Sequence, residues 1–510
     1  MSKSPLLCGV DVGTGSVRAL IIDGSGRVMA SHSCPTPTQE LAEDRAQYDA
    51  DGLVATVCQV IRDAADKLGG QAGQIAGLAI ASFGESGVLL DRHDGVLGPV
   101  LAWYDQRPNE AYQKLISTLG ADAFERTTGL CPDPTFSAAK LAWAKSEQPE
   151  RFARAASWLH VSDYLAFRLT GTKATDLGLA ARTMLLDLAA CRWSAELLGG
   201  LGLNTDLLPE ILPLGTNLGV LTADAARQTG LPPHCQVALG GYDHVAGMLA
   251  AGADRPGHLF NSMGTAEAWS LAQSDCVIDQ AKLRRGINHG ALQVHGETPV
   301  FYQFGGLPTS AAAIDWFFET FAPKRARQLL IDAAAEVPPG AGGVSFYPHL
   351  RLGSPPYPDP QAGGGLTGLS QGTDHATLLR AVLEGVALDM AAVLAVLAPN
   401  HPPFAQVTAI GGSTRNALLM AIKASLLGQP IAVGRNHDAT ALGAALLAGL
   451  AIDVYPDLRT AQQKAGLRTG LATPLPNWPS DAIAAQKRDY IRGRAALRSW
   501  LRDEVRETGF

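Results

Sequence analysis

Apolar residues recur along this chain with two different periods, and the period predicts the elements. Short β-branched and apolar runs, Cys8 to Val12 and Val17 to Ile22, flank a glycine-rich turn and predict the strands of a tight hairpin. Asp51 is the expected cap of a helix whose apolar residues Leu53, Val54, Val57, Val60, Ile61 and Leu68 return at helical spacing, and a strand from Ile75 to Phe83 follows. Strands, helix and strand in that order are α/β organisation. Further helices are expected at Ser137 to Lys145, Ser162 to Leu169 and Thr205 to Leu212. Gln236 to Gly240 reads as a strand running into Gly240-Gly241-Tyr242-Asp243, after which His244 to Ala251 turns helical.

The second half repeats the scheme. Leu259 to Ser262 and Glu267 to Leu271 read as strands around Gly264-Thr265. Leu378 to Leu397 predicts a strongly apolar helix, Val407 to Gly412 a strand, Ala417 to Leu427 a helix, Pro430 to Gly434 a strand and Ala439 to Leu450 a helix. Between these, Ser354-Pro355-Pro356-Tyr357-Pro358-Asp359-Pro360 through Gly363-Gly364-Gly365 reads as an irregular surface loop, because proline removes donors and glycine raises backbone entropy. The charged stretch from Ser480 to Glu507 is expected to be a packed terminal helix with one solvated face.

Composition narrows the class. A chain of 510 residues, 46% hydrophobic and 17% charged, suits two to four globular domains. A net charge of −7 gives no long-range attraction for nucleic acid or an anionic membrane, so a small-molecule partner fits better; a homodimer is left open. Cys8, Cys34, Cys58, Cys131, Cys191, Cys235 and Cys276 are odd in number and form no Cys-x-x-Cys pair, which predicts reduced, cytoplasmic thiols. Met1 to Leu7 lacks the basic start and apolar core of a signal peptide. Arg380, Glu384 and Asp389 interrupt Ala376 to Pro399 as a membrane span.

The candidate chemistry lies in the glycine turns. In Asp11-Val-Gly-Thr-Gly-Ser-Val-Arg18, Gly13 and Gly15 let backbone N–H groups approach an anion, Thr14 and Ser16 add hydroxyls, and Arg18 adds a cation. Asp11 is the candidate Mg²⁺ partner, acting through water. Turn chemistry alone explains one such hairpin. The second Gly-Thr turn, in Asn261-Ser-Met-Gly-Thr-Ala266, changes the balance towards a nucleotide phosphate held between two halves. Phosphoryl transfer to a hydroxyl needs a base, and Asp243, between a glycine-flanked strand end and a helix start, is the candidate; an ordinary helix cap is the alternative. Ile410-Gly-Gly-Ser-Thr-Arg-Asn416 again joins strand to helix and offers a flat backbone to adenosine. Neither Gly-x-Gly-x-x-Gly at the right context nor a Walker-type Gly-Lys-Ser/Thr run occurs.

Taken together, the Asp11–Arg18 hairpin, Gly241-Tyr-Asp243, Met263-Gly-Thr265 and Ala409-Ile-Gly-Gly412 resemble the FGGY carbohydrate kinases, within the superfamily that includes actin. Ser137-Ala-Ala-Lys140-Leu-Ala-Trp143, Asp163-Tyr-Leu-Ala-Phe-Arg-Leu-Thr-Gly171, Thr175-Asp176 with Ala181-Arg182-Thr183, and Asp438-Ala-Thr-Ala-Leu-Gly-Ala-Ala445 are similar to further family segments, so the likeness spans roughly residues 6 to 452. The resemblance implies two actin-like (ribonuclease H-like) lobes, each a mixed sheet flanked by helices, with an ATP cleft between them. It implies a sugar-binding lobe over residues 1–252 and a nucleotide-binding lobe over 253–510. On that pattern Asp243 is the base, Asp11 supports Mg²⁺, and Thr14, Gly264 and Thr265 meet phosphates together with the rest of the first hairpin. Gly411, Gly412, Ser413 and Asn416 lie near adenosine, and Gly305-Gly306 resembles another nucleotide-side segment. Family members often carry serine after the second Gly-Thr, where this chain has Ala266.

The acceptor side is less complete. Ser82-Phe-Gly-Glu-Ser86 occupies the segment where xylulose kinases tend to have Met-His-Gly and glycerol kinases Gln-Arg-Glu-Thr; Glu85 matches the glycerol-type glutamate, and Gly84 lacks its arginine. A carboxylate there accepts hydroxyl hydrogen bonds, which suits a polyol or open-chain ketose. Trp103-Tyr-Asp-Gln-Arg107 resembles the segment supplying an aromatic wall, with Asp105 and Arg107 as hydroxyl partners, or else a core tryptophan and a surface ion pair. His244 either meets substrate or begins the helix. The reading is an ATP-dependent kinase of a ketose or polyol hydroxyl. A superfamily ATPase or phosphatase, and a non-catalytic sugar sensor, stay open beside it.

Overall fold

The computed structural model describes residues 5–42, 44–359, 361–399, 403–434, 438–466 and 468–507, so part of the N-terminal segment (residues 1–4) and Pro360 of the proline-rich loop lie outside the described residues. In the first half, strands β1 (Leu6–Val12), β2 (Ser16–Ile22), β3 (Val28–Pro35), β4 (Ile75–Ser82), β5 (Asn217–Val220) and β6 (Gln236–Tyr242) form one sheet in the order β5-β6-β4-β1-β2-β3. In the second, β7 (His258–Met263), β8 (Glu267–Gln273), β9 (Asn288–Leu292), β10 (Val300–Leu307), β11 (Gln406–Ile410), β12 (Ile431–Gly434) and β13 (Arg468–Ala472) run β9-β10-β8-β7-β11-β12-β13. Five strands repeat one design. An antiparallel trio, β3-β2-β1 or β10-β8-β7, is extended by two parallel strands, β4 and β6 or β11 and β12.

Helices α1 (Ala50–Asp66) and α2 (Val161–Thr170) pack on one face of the first sheet, and α6 (His375–Leu397) and α7 (Ala417–Leu427) on the outer face of the second, with α4 (Ala311–Phe321) and α5 (Arg327–Glu336) packed against α6. Between the sheets lie α3 (Asp243–Ala250) and α8 (Ala439–Ala451), which share a core with Leu7 and Leu20 from one side and Phe260 and Ile410 from the other. Small residues permit this layer. A Cβ on Gly9 of β1 would fall 1.9 Å from the Ala441 carbonyl oxygen, and one on Gly443 would fall 2.0 Å from that of Ala246.

Register sets the site. Asp11 stands beside Ala81, and Ala81 beside Gly241, so the Asp11 and Asp243 segments emerge at the same edge of the sheet, at the carboxyl ends of parallel strands. A bulge between Leu239 and Gly241 re-aims the end of β6; Gly241 has φ +76°, and a Cβ on Gly240 would meet the Ile80 carbonyl oxygen at 2.3 Å.

Three sequence expectations change. The cap of α1 is Asp49, which accepts from Gly52 N–H at 2.7 Å, while Asp51 sits in the first turn and pairs with Arg168 at 2.5 Å. Thr205 to Leu212 is not a helix: a single turn over Thr205–Leu207 ends where Leu208 extends into the proline-bracketed segment. The proline-rich loop is irregular but not wholly on the surface, because Ser354 and Asp359 are buried under the terminal helix α9 (Ser480–Glu507). Arg494 pairs with Asp389 at 3.1 Å and Arg502 with Asp359 at 2.8 Å. No helix among the described residues is long and apolar enough to cross a membrane, and all seven cysteines are free.

Candidate active site

The first hairpin closes on itself through Gly13 N–H to Ser16 C=O at 3.0 Å, and Thr36 Oγ1 donates to the Gly13 carbonyl at 2.6 Å. Thr36 also ties the tip, its N–H donating to the Gly15 carbonyl at 3.3 Å. Trp103 Nε1–H donates to Thr14 Oγ1 at 3.0 Å, tying the expected aromatic wall to the expected phosphate turn. Arg18 takes a different partner from the one expected: its Nη1 lies 2.8 Å from Asp438 Oδ1, at the start of α8. That pair joins the base of the hairpin to the second half of the chain.

Asp243 opens α3 as its first residue, not as its cap, and accepts from the His244 N–H at 2.6 Å. Burial and the Glu85 charge push its carboxyl up to about 7. Burial, with the charges of Asp243 and Asp438, likewise raises Asp11 to about 7 against the opposing Arg18. The two carboxyls therefore share a strip of negative potential that Arg18 and Arg182 offset only in part. A divalent cation would relieve it, and hard cations prefer carboxylate and water oxygens, so the donor set fits Mg²⁺.

Glu85 lies next to this strip. It is buried, in the left-handed region at φ 65°, and Arg182 Nε donates to it at 2.6 Å. A Cβ on Gly84 would fall 3.1 Å from the Tyr242 ring, so a larger residue there would require that ring to shift. Trp103 is exposed, as a wall requires. Asp105 and Arg107 pair with each other. Asp105 is fully buried and accepts from Ala46 N–H at 2.8 Å and from Arg107 Nη2 at 2.8 Å, so this pair braces the wall and offers no free carboxylate. His244 is exposed at the helix start, 5.3 Å ring to ring from Tyr242.

In the second half, Gly264, Thr265, Gly412, Ser413 and Asn416 line one cavity of about 750 Å³, with Ile314, Phe318, Ile331 and Leu418 as apolar walls and Arg415 at its edge. Gly411 backs the cavity; its φ is 103°, and a Cβ there would fall 2.3 Å from the Met263 carbonyl oxygen. Asn416 caps α7, accepting from Leu419 N–H at 3.0 Å. Gly306 does not line this cavity: it pairs with Ala268 inside the sheet. The Thr265 carbonyl is held by the N–H groups of Ser310 and Ala312 at 3.1 and 3.2 Å.

Two functional features escaped the sequence reading. Glu267, beneath the second turn, receives Trp269 Nε1–H at 2.5 Å, Asn261 Nδ2–H at 3.1 Å, Ser310 Oγ–H at 2.7 Å and the Lys423 ammonium, all out of water. The signal was an acid within an otherwise apolar strand run. Arg182 was noted only as part of a motif, and nothing local to it announces its partner 97 positions away.

Paired sheets of one design, with a shared helical layer and glycine turns at the strand ends, define a two-lobed α/β phosphotransferase of the actin-like kind. The sequence matches "FGGY family of carbohydrate kinases, N-terminal domain" over residues 6–250 and the C-terminal domain over 259–452, and the chain belongs to that family. It is 31% identical to a glycerol kinase of Citrifermentans bemidjiense over 90% of this chain and 92% of that one. It is 26% identical to a xylulose kinase of Bacillus subtilis over 89% and 90%. Among solved structures, xylulose kinase from Rhodospirillum rubrum superposes with TM-score 0.86 at 28% identity, covering 98% of this chain and 100% of that one. The chain is an ATP-dependent phosphotransferase acting on a sugar or polyol hydroxyl.

Proposed function

We propose that Asp243 is the general base and that the acceptor is a small ketose or polyol, of the class named for the xylulose and glycerol kinases among its relatives. The observation that carries this is the placement of Asp243: half-buried, at the helix start beside Glu85, with a carboxyl poised near 7. A base near neutrality both orients the hydroxyl and accepts its proton as the oxygen bonds to the γ-phosphorus and the bond to the β-phosphate oxygen breaks. The lone pair left on that oxygen departs with ADP. We assign residues 1–252 to the acceptor and 253–510 to the nucleotide, with adenosine in the cavity formed by Gly412, Ser413 and Asn416. The Gly13 and Gly264 N–H groups close their own turns on the Ser16 and Ala266 carbonyls, so Gly15 and Thr265 supply the backbone phosphate donors. Asp11 would hold Mg²⁺ through water, and the ion when bound would offset phosphate charge, which leaves Asp243 free to act as base. Free cysteines support a reducing, cytoplasmic setting.

The test is a coupled ADP assay across D-xylulose, D-ribulose, glycerol and xylitol. Asp243→Ala is expected to lower kcat by about 10²- to 10⁴-fold with little change in KM for ATP. An unaltered kcat overturns the assignment of the base.

A further inference from the structure

Arg182 Nη1, Ser86 Oγ and Tyr302 Oη are buried and have no hydrogen-bond partner within the protein. Buried polar groups are nearly always paired, so three unpaired ones around Glu85 mark a space for a polar ligand. Ser86 adjoins Glu85 in sequence, and Tyr302 lies within electrostatic reach of Arg182, Glu85 and Asp243. The guanidinium is the most firmly held of the three. Its Nε is bound to Glu85, and its carbon stands 4.9 Å from the Phe136 ring and 4.8 Å from the Phe304 ring. Phe136 precedes a first-half helix and Phe304 belongs to β10 of the second sheet, so Arg182 is gripped from both halves.

Both arginines at this spot are already paired with acids. Arg182 is paired with Glu85 and Arg107 with Asp105, while the Lys140 ammonium donates to the carbonyls of Trp103 and Thr135. Asp243 adds a further negative group. An anionic acceptor would therefore face the Glu85 and Asp243 carboxylates, with both arginines spent on their own acids and the Lys140 ammonium engaged by two carbonyls. A neutral one can use Arg182 as donor and Glu85 as acceptor.

We propose that Arg182 determines acceptor specificity: its unpaired Nη1–H donates to an oxygen of a neutral polyhydroxy acceptor, Glu85 accepts from a neighbouring hydroxyl, and sugar acids are rejected because the guanidinium charge is spent on Glu85. This rests on the kinase reading with Asp243 as base. A planar fork can serve Glu85 and the ligand at once, which a lysine ammonium cannot do in the same geometry.

The experiment measures kcat, KM and calorimetric binding for D-xylulose, glycerol, xylitol and D-gluconate on the full chain, with Arg182→Met, Arg182→Lys and Glu85→Gln. Arg182→Met is expected to raise the KM and Kd of the neutral acceptor about 10- to 100-fold, with KM for ATP within about twofold. Arg182→Lys is expected to restore the melting temperature but not acceptor affinity. Glu85→Gln frees the guanidinium and is expected to raise the ratio of D-gluconate to D-xylulose turnover. Unchanged acceptor KM and Kd in Arg182→Met, equal losses for acceptor and ATP, wild-type turnover of D-gluconate matching that of the neutral probes, or failure of every neutral probe to bind the wild type overturns the proposal. Wild-type binding of a neutral probe without ADP release would instead fault the kinase reading, and the calorimetric comparison would still decide the role of Arg182.

Discussion

Asp243 holds its proton far above the usual aspartate range of 3.8, chiefly because burial penalises the charge. Two consequences follow, with opposite signs. As a base it must be ionised, so kcat/KM for the acceptor should rise with pH through about 7 in the free enzyme. For stability, the native state keeps a proton that the unfolded chain releases between 3.8 and about 7, so folding free energy falls as pH rises across that window. Asp243→Asn should therefore raise Tm at pH 8 and leave it unchanged near pH 4, read by calorimetry at both values. A variant no more stable than the parent at pH 8 would mean that the burial penalty is not felt. The same carboxyl thus trades stability for reactivity.

At the scale of elements, the decisive packing is that of α8. Its run of alanine, glycine and leucine lets the backbone touch β1 at Gly9 and α3 at Gly443, where no side chain fits. Gly443→Ala should cost about 1–3 kcal/mol by overpacking and shift Asp243 with α3, seen in urea titration together with a drop in kcat. The terminal helix works differently. Asp389, inside apolar α6, is satisfied by Ser354, Tyr490 and Arg494, with the arginine nearly out of water. Asp389→Ala leaves that arginine buried without a carboxylate, held only by the Ser354 and Pro355 carbonyls, so a loss of about 3–5 kcal/mol is expected in urea unfolding. An effect below 1 kcal/mol would place α9 off the core.

At the scale of the molecule, the two halves meet through the α3–α8 core and through polar ties, among them Arg284 with Asp122 at 3.1 Å and the His289 N–H with the Gly129 carbonyl at 2.8 Å. Arg18 reaches Asp438, Asn288 accepts from the Cys131 N–H at 2.7 Å, and Phe304 lies against Arg182. Keeping water out of the site depends on the wall. Trp103 is exposed but bonded to Thr14, and its removal opens the acceptor side to water. Trp103→Ala is therefore expected to raise the ratio of ADP released to sugar phosphate formed, measured on one reaction mixture. An unchanged ratio would mean that another element excludes water.

Much of this was legible before any coordinates. The apolar runs marked both hairpins, the helical periods marked α1, α6, α7 and α8, and the glycine turns marked the ends of β1, β6 and β7, because these depend on local preferences within a few residues. The cap of α1, the false helix at Thr205 and the half-buried proline loop were not legible; each was settled by a partner or a crowded neighbour and not by propensity. The same holds for the site. Asp11, Asp243 and Glu85 could be named from their motifs, but that Asp105 braces Arg107, that Arg18 serves Asp438 and that Arg182 serves Glu85 are decided by contacts between distant positions. Sequence by itself fixed which groups the chain carries and at which strand ends they sit. Only the tertiary structure decided which of them are spent on one another and which remain free for a ligand, because a hydrogen bond or ion pair is consumed by proximity in space, to which the order of residues is blind.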